Sequence, residues 1–330
     1  MTTLTILSDY SRHNQVDIPA DLADEITAAI RASKRPNTLK AYQSDLALFT
    51  AWCRQHNWSP LPADPETVAA YLVDQRKSHK LSTLRRHLAT LSKAHQIAGL
   101  PNPCTTPVVV EVLKGLRNQY PQAPTRAAAM SPDHLRTVLA GIKGSELSSL
   151  RDRAVLLTGW AAALRRSEIA ALKWADIDYQ PDGVVLTILG SKTDKAGTGQ
   201  QAPLAAEPKA PKVCPVKALQ SWQAACLAVS PLLTQPDQPV FRQVNRHSQL
   251  GAGLTGHAIN QIISARGTAV GLSGFTGHSL RRGLAQTAHA AGVGDSSIMQ
   301  TTRHRSVTQL RTYQGDAGLL TRAASKGLLL

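Results

Sequence analysis

The chain has 330 residues, with 37 Lys and Arg against 22 Asp and Glu, so it carries +15 with histidines neutral; that surplus points to a polyanionic partner, and the length predicts two domains rather than one. A hydrophobic content of 42% excludes a wholly disordered basic chain, while the lack of any run of about 18 apolar residues, and an opening MTTLTILSDYSRH without basic-then-apolar order, argue against a membrane or secreted protein. Four cysteines (Cys53, Cys104, Cys214, Cys226) form no C-x-x-C pair, which argues against a zinc finger or disulfide framework and leaves a soluble, cytoplasmic globular protein that meets nucleic acid.

Residues 1–20 are polar and mixed, and read as a flexible arm. From Leu22 the pattern turns helical, with Leu22, Ile26, Ala29 and Ile30 on one stripe, acids early and Arg31 late. Pro36 and Asn37 open a second helix whose apolar positions Leu39, Tyr42, Leu46, Phe49 and Trp52 recur at three or four residues. Asp64-Pro65-Glu66 reads as an N-cap with proline in the first turn. A helix from near Ser82 runs through Leu84, Leu88, Leu91 and Ala94, and another spans about 107–116. Residues 21–117 are therefore predicted to form a compact helical domain.

Residues 118–130, with two prolines and little periodicity, read as a linker, and 131–330 as the second domain. Ser131-Pro132-Asp133 caps its first helix. A second helix is expected over about 150–172, with the uncharged stretch 154–164 buried at its centre. Pro181-Asp182-Gly183 then feeds a β-branched strand VVLTIL, a loop SKTDKAGTGQQ and a return strand at 202–204. From Val216 the pattern reads as helical to the end. The fold class is mainly α, with a small β-hairpin or sheet in the second domain.

Chemistry-bearing residues lie in four segments and one loop. Arg165 and Glu168 in ALRRSE stand three apart, a spacing that on most helices is a surface ion pair; here it directly follows a buried run. His278 and Arg281 in GHSLRR repeat the spacing, Arg303-His304-Arg305 follows, and Tyr313 lies nine residues after His304. Lys192 lies in the hairpin loop. Together, arginines, histidines, a lysine and a tyrosine suit attack of a phenolic oxygen on a phosphodiester. The phenol needs help to lose its proton, guanidinium forks suit the charge on the nonbridging oxygens, and a mobile lysine suits protonation of the leaving 5′-oxygen. No carboxylate cage for Mg²⁺ is discernible, and neither metal nor cofactor is expected.

In this order, A-L-R-R-S-E-I, S-K-T, G-H-S-L-R-R, and H-R-S with T-Y nine residues on, the chain resembles the tyrosine recombinase (phage integrase) family, in particular its Cre-like branch, over roughly residues 35–320. The resemblance implies that Tyr313 is the nucleophile and forms a 3′-phosphotyrosyl bond. It implies further that Arg165 and Arg281 clamp the scissile phosphate, His304 hydrogen-bonds a nonbridging oxygen, His278 assists proton transfer and Glu168 orients the arginines. Lys192 would be the general acid, preferred to Lys195 in the same loop because S-K-T fits the family's lysine segment better.

The helix from Ser82 carries a polar face with Ser82, Thr83, Arg85, Arg86 and Lys93, which reads either as a solvated face or as a major-groove helix; the resemblance favours the groove. Lys40, Arg242, Arg246 and Arg282 are further expected DNA contacts. Residues 317–330 carry an apolar stripe that packs on its own domain or, as the resemblance implies, docks on a neighbouring protomer in a homotetramer. The expected activity is site-specific recombination between inverted-repeat DNA sites through a Holliday junction, in a cytoplasmic, nucleoid-associated bacterial or phage setting. The rival readings are a type IB topoisomerase and a non-catalytic DNA-binding relative.

Overall fold

The computed structural model describes residues 19–33, 36–121, 127–190, 199–304 and 306–314. Residues 1–18 of the predicted arm (1–20), the loop holding Lys192 and Lys195, and the C-terminal helix (317–330) lie outside the described residues, and Ala20, assigned to the arm, begins the first helix. The chain divides into two compact units, Met1–Pro124 and Thr125–Leu330.

The first unit is helical: α1 (Ala20–Ala32), α2 (Pro36–Gln55), α3 (Pro65–Gln75), α4 (Leu81–Ile97) and α5 (Pro107–Gln119). Positions 118 and 119, read from sequence as linker, continue α5. The core gathers the apolar stripes of α2 to α5: Phe49, Trp52, Tyr71, Leu72, Leu84, Leu91, Val109 and Leu116. Of the predicted stripe of α1, Leu22 is 48% and Ile26 39% exposed. Asp64 takes the N-cap place of α3, yet its side chain makes no cap hydrogen bond.

Polar groups inside this unit form a network that period-counting does not reveal. Asp45, buried on α2, accepts from Arg86 Nη1 at 2.5 Å and Thr90 Oγ1 at 3.0 Å. The His87 ring lies between Asp45, at 3.4 Å, and the Tyr71 hydroxyl, at 2.9 Å. His95 accepts from the Ala63 N–H through Nε2 and uses Nδ1 on the Leu91 carbonyl. One ring nitrogen is thus an acceptor and the other a donor, the pattern of a neutral imidazole.

The second unit opens with α6 (Pro132–Gly141), capped as expected by Ser131, whose hydroxyl accepts from the His134 N–H. Two shorter helices replace the single helix expected over 150–172: α7 (Leu147–Ala161) and α8 (Arg166–Ala171). The chain breaks between them because Ala163 adopts a left-handed conformation, φ 47°, which propensity and periodicity do not signal.

A three-stranded antiparallel sheet follows, β1 (Ile177–Gln180), β2 (Gly183–Ile188) and β3 (Gln200–Ala205), in the order β1-β2-β3. Its first strand was not expected, since IDYQ is short and mostly polar. After α9 (Pro215–Val229) a second hairpin, β4 (Arg242–Val244) and β5 (Leu250–Gly253), interrupts the stretch read as all helical. The unit closes with α10 (Gly256–Thr268), α11 (Gly277–Ala290), α12 (Asp295–Thr302) and α13 (Val307–Gln314).

The uncharged run of α7 lies at the centre of the core, with Ala154, Val155 and Leu156 fully buried. Met130, at the end of the expected linker, is also buried: its N–H donates to the Ser279 carbonyl, and its own carbonyl accepts from Trp160 Nε1. The chain comes so close to α11 there that a Cβ on Gly283 would collide with the Met130 carbonyl oxygen. Leu310 of α13 packs with Ala285 of α11 and Ile298 of α12, so the helix bearing Tyr313 lies against the helix bearing His278 and Arg281.

Candidate active site

Arg165 and Glu168 do not lie on one helix face. Arg165 is the N-cap residue of α8 and Glu168 its third residue, so the carboxylate folds back on the helix start. Glu168 Oε2 accepts from the Arg165 backbone N–H at 2.9 Å, and Oε1 from Arg165 Nη1 at 2.5 Å. The Arg165 side chain keeps 23% of its surface exposed, whereas Glu168 is buried. The pair is therefore a buttressed guanidinium with one open face.

Arg281 enters from α11. Thr276 caps that helix, accepting from the His278 N–H at 3.2 Å, and this places His278 in the first turn and Arg281 one turn on. Arg281 is fully buried and donates through Nη1 to the Ala163 carbonyl at 2.8 Å. Residues 303 and 304 enter from the end of α12. Thr302 Oγ1 lies 2.6 Å from the Ile298 carbonyl and 2.8 Å from His304 Nδ1. A carbonyl can only accept, so the hydroxyl proton goes to Ile298 and the imidazole must donate through Nδ1–H. In neutral His304, Nε2 is then a lone-pair acceptor.

Arg303 was named in the sequence only as part of a basic segment, and it is the residue of this cluster that sequence reasoning missed. Its buried guanidinium donates to Glu168 Oε2 at 3.0 Å and to the carbonyls of Ala162 (3.0 Å), Ala163 (3.2 Å) and Thr301 (2.9 Å). No spacing in the sequence could have singled it out, because Glu168, Ala162 and Ala163 lie 135 to 141 residues away.

Two guanidiniums on one carboxylate, with that of Arg281 on the Ala163 carbonyl beside Arg303, leave two positive charges in a largely buried place, which suits an anion. The histidines report the same field. Burial, then the charges of Arg281, Arg165, His278 and Arg303, push His304 down to about 3. Desolvation, then Arg281, Arg282 and Arg165, lowers His278. For Glu168 burial works upward, but Arg303 and then Arg165 hold it below the ordinary carboxylate range.

The structure thus brings together Arg165, Glu168, His278, Arg281 and His304. Tyr313 lies on α13; its side chain, like Lys192, is outside what the structure describes. Among the described residues no cluster of His, Cys, Asp or Glu could hold a metal ion, and no helix is long and apolar enough to cross a membrane.

Of the expected DNA contacts, Lys40, Ser82, Arg85, Arg86 and Arg246 are exposed, and Thr83 and Lys93 half-buried. Two expectations change. Arg242 is buried and donates to the Gly251 carbonyl and to Gln238 Oε1, so its guanidinium braces the β4–β5 hairpin. Arg282 is buried as well and donates to the Ala127 carbonyl, holding the segment that leads into the unit. Both stood beside exposed or catalytic positions in sequence, and only packing separates them.

The sequence profile of the phage integrase family matches residues 129–317, and that of the phage integrase N-terminal SAM-like domain matches 27–99. The integrase/recombinase XerD homolog of Selenomonas ruminantium is 33% identical over 296 residues, covering 86% of this chain and 83% of that protein. Recombinase Cre of Escherichia phage P1 is 25% identical over 345 residues, covering 97% and 94%. In fold, the chain is similar to XerH site-specific recombinase bound to palindromic difH substrate (TM-score 0.66, 13% identity, 99% and 95% covered). It is also similar to lambda integrase residues 75–356 bound to DNA (TM-score 0.57, 19% identity, 96% and 97% covered). With these matches spanning both units, the chain belongs to the phage integrase family: it is a tyrosine recombinase, an enzyme of site-specific DNA recombination.

Proposed function

We propose that Tyr313 is the nucleophile of this enzyme and that Arg165, Arg281, His278, His304, Glu168 and Lys192 serve it as follows. The phenolic oxygen attacks the scissile phosphorus, a 3′-phosphotyrosyl bond forms, and the 5′-oxygen leaves with a proton from Lys192. Arg165 and Arg281 bind the nonbridging oxygens, on which charge grows in the transition state. His278 takes part in moving the phenolic proton. His304 takes up a proton as the phosphate enters, because the anion offsets the positive charges that add to burial in holding it neutral, and then donates through Nε2. A free 5′-hydroxyl from a second duplex attacks the phosphotyrosine and releases Tyr313. One ester replaces another, so no energy source is consumed.

The observation that carries this reading is that Arg281 bonds the turn after α7, where Arg165 begins α8, and that His278 and His304 lie in the field of both arginines, four residues from three separate parts of the chain. Strand exchange by pairs through a Holliday junction calls for four copies on two inverted-repeat sites. Two features support that assembly: the apolar stripe of residues 317–330, expected to dock in trans, and the exposed Leu22 and Ile26 of α1. Lys40, Ser82, Thr83, Arg85, Arg86, Lys93 and Arg246 are the proposed DNA contacts, on a protein that works beside the nucleoid.

The test is incubation of the full chain with a library of nicked inverted-repeat duplexes, with trapped adducts sequenced. Wild type should form a covalent adduct at a defined site. Tyr313→Phe should form none while its DNA affinity stays within about threefold of wild type. An adduct with Tyr313→Phe would overturn the nucleophile assignment, and relaxation of single duplexes without strand exchange would favour the topoisomerase reading.

A further inference from the structure

We propose that Arg303 is a positioning residue: through Glu168 it fixes the guanidinium of Arg165, and through its own backbone it locks the His304 segment to the same turn. The proposal rests on the reading of Arg165 as a phosphate ligand.

Glu168 receives three hydrogen bonds from two arginines. Arg165 supplies two of them, one from its side chain and one from its backbone, and Arg303 Nη2 supplies the third, at 3.0 Å on Oε2. Without Arg303, the buried carboxylate would have one guanidinium for a partner and freedom to rotate, and Arg165 would turn with it. The same guanidinium also donates through Nη1 and Nη2 to the carbonyls of Ala162 and Ala163, the residues that follow α7, and of Thr301 within α12. One side chain therefore ties the end of α12 to the turn between α7 and α8.

The backbone makes the same point. Arg303 sits at φ 55°, ψ 42°, a left-handed conformation that glycine adopts without a steric cost. A position that served only to turn the chain would be served better by glycine. What arginine adds is the guanidinium and its four hydrogen bonds. Because His304 is the next residue, the fixed backbone at 303 also sets where the imidazole starts.

The test uses Arg303→Gly, which keeps the turn and removes the guanidinium, and Arg303→Lys, which keeps a charge near Glu168 without the fork. Single-turnover cleavage is measured on the nicked duplex selected by wild type, at saturating DNA and beside a thermal melt. Arg303→Gly should cleave about 30-fold more slowly with DNA affinity within about threefold, and Arg303→Lys should recover part of the rate. In a Glu168→Gln background the glycine substitution should cost less than about threefold, since both changes break one chain of contacts. A folded Arg303→Gly or Arg303→Lys that cleaves at the wild-type rate, or full additivity with Glu168→Gln, overturns the proposal while the reading of the site stands. Should Arg303→Gly not fold, the lysine variant decides alone. A wild type that traps no adduct overturns both.

Discussion

Arg281 and Arg303 share one acceptor. The carbonyl oxygen of Ala163 takes a hydrogen bond from Arg281 Nη1 at 2.8 Å and from Arg303 Nη2 at 3.2 Å. Two guanidiniums on one oxygen repel each other, and Glu168, bonded to Arg303, offsets only part of that charge. The unfolded chain lacks the strain, so an anion that enters here should favour the folded state.

Inorganic sulfate or phosphate is therefore expected to raise the thermal midpoint above that in chloride of equal ionic strength. At ten times its dissociation constant, an anion bound only by the native state contributes about 1.4 kcal/mol. Arg281→Gln should remove most of this response, read by thermal melts in the two salts.

Ala163 carries a second expectation. Its φ of 47° is unfavourable for any side chain, and it is fully buried. Ala163→Gly should leave stability unchanged or raise it by up to about 1 kcal/mol, whereas Ala163→Val should lose about 2 kcal/mol or more and displace the carbonyl that Arg281 and Arg303 share. Urea unfolding midpoints of the two variants check this.

His304 makes stability depend on pH. It is neutral in the folded protein down to about 3, whereas in the unfolded chain it takes a proton near 6.5. Between those values the unfolded state binds more protons, so stability is present above about pH 6.5 and lost on acidification, by about 1.4 kcal/mol per pH unit from this residue. His95, lowered by burial and held as donor and acceptor, acts in the same direction. Urea midpoints at pH 7.5, 6.0 and 5.0 should fall, and His304→Gln should flatten the slope between 6.5 and 5.

Asp45 is the corresponding weak point of the first unit. Its carboxylate is 1% exposed and holds Arg86 and Thr90. Asp45→Ala strands the buried Thr90 hydroxyl and releases Arg86 to solvent, and should cost about 2 kcal/mol; Asp45→Asn should cost less. If Arg86 is a DNA contact, both variants should also weaken DNA binding, because the fork is no longer aimed. Thermal melts and DNA titrations of the same samples separate the two effects.

Much of the site was legible because its chemistry sits in compact local groups. G-H-S-L-R-R places His278 and Arg281 a turn apart on α11 whatever surrounds them, and the uncharged run before Arg165 announces a buried helix. Arg165 with Glu168 was visible as a pair but with the wrong geometry. Periodicity extends a helix through any favourable sequence, and a single left-handed alanine breaks one without leaving a compositional mark. The polar network of Asp45, His87 and Tyr71 was hidden for the opposite reason: its members lie on three helices, and the spacing along each helix does not connect them.

The sequence by itself determined the charge that draws this protein to a polyanion, the helical stripes of both units and the residue types gathered for phosphodiester chemistry, since all of these follow from side-chain composition and local spacing. The tertiary structure alone decided which basic residues face outward and which act as internal braces. Arg303 is buried against Glu168 and Arg242 against its own hairpin, while Arg165 keeps one face open. That choice depends on where distant carbonyls and carboxylates come to lie after packing, and a guanidinium carries the same charge in every one of those places.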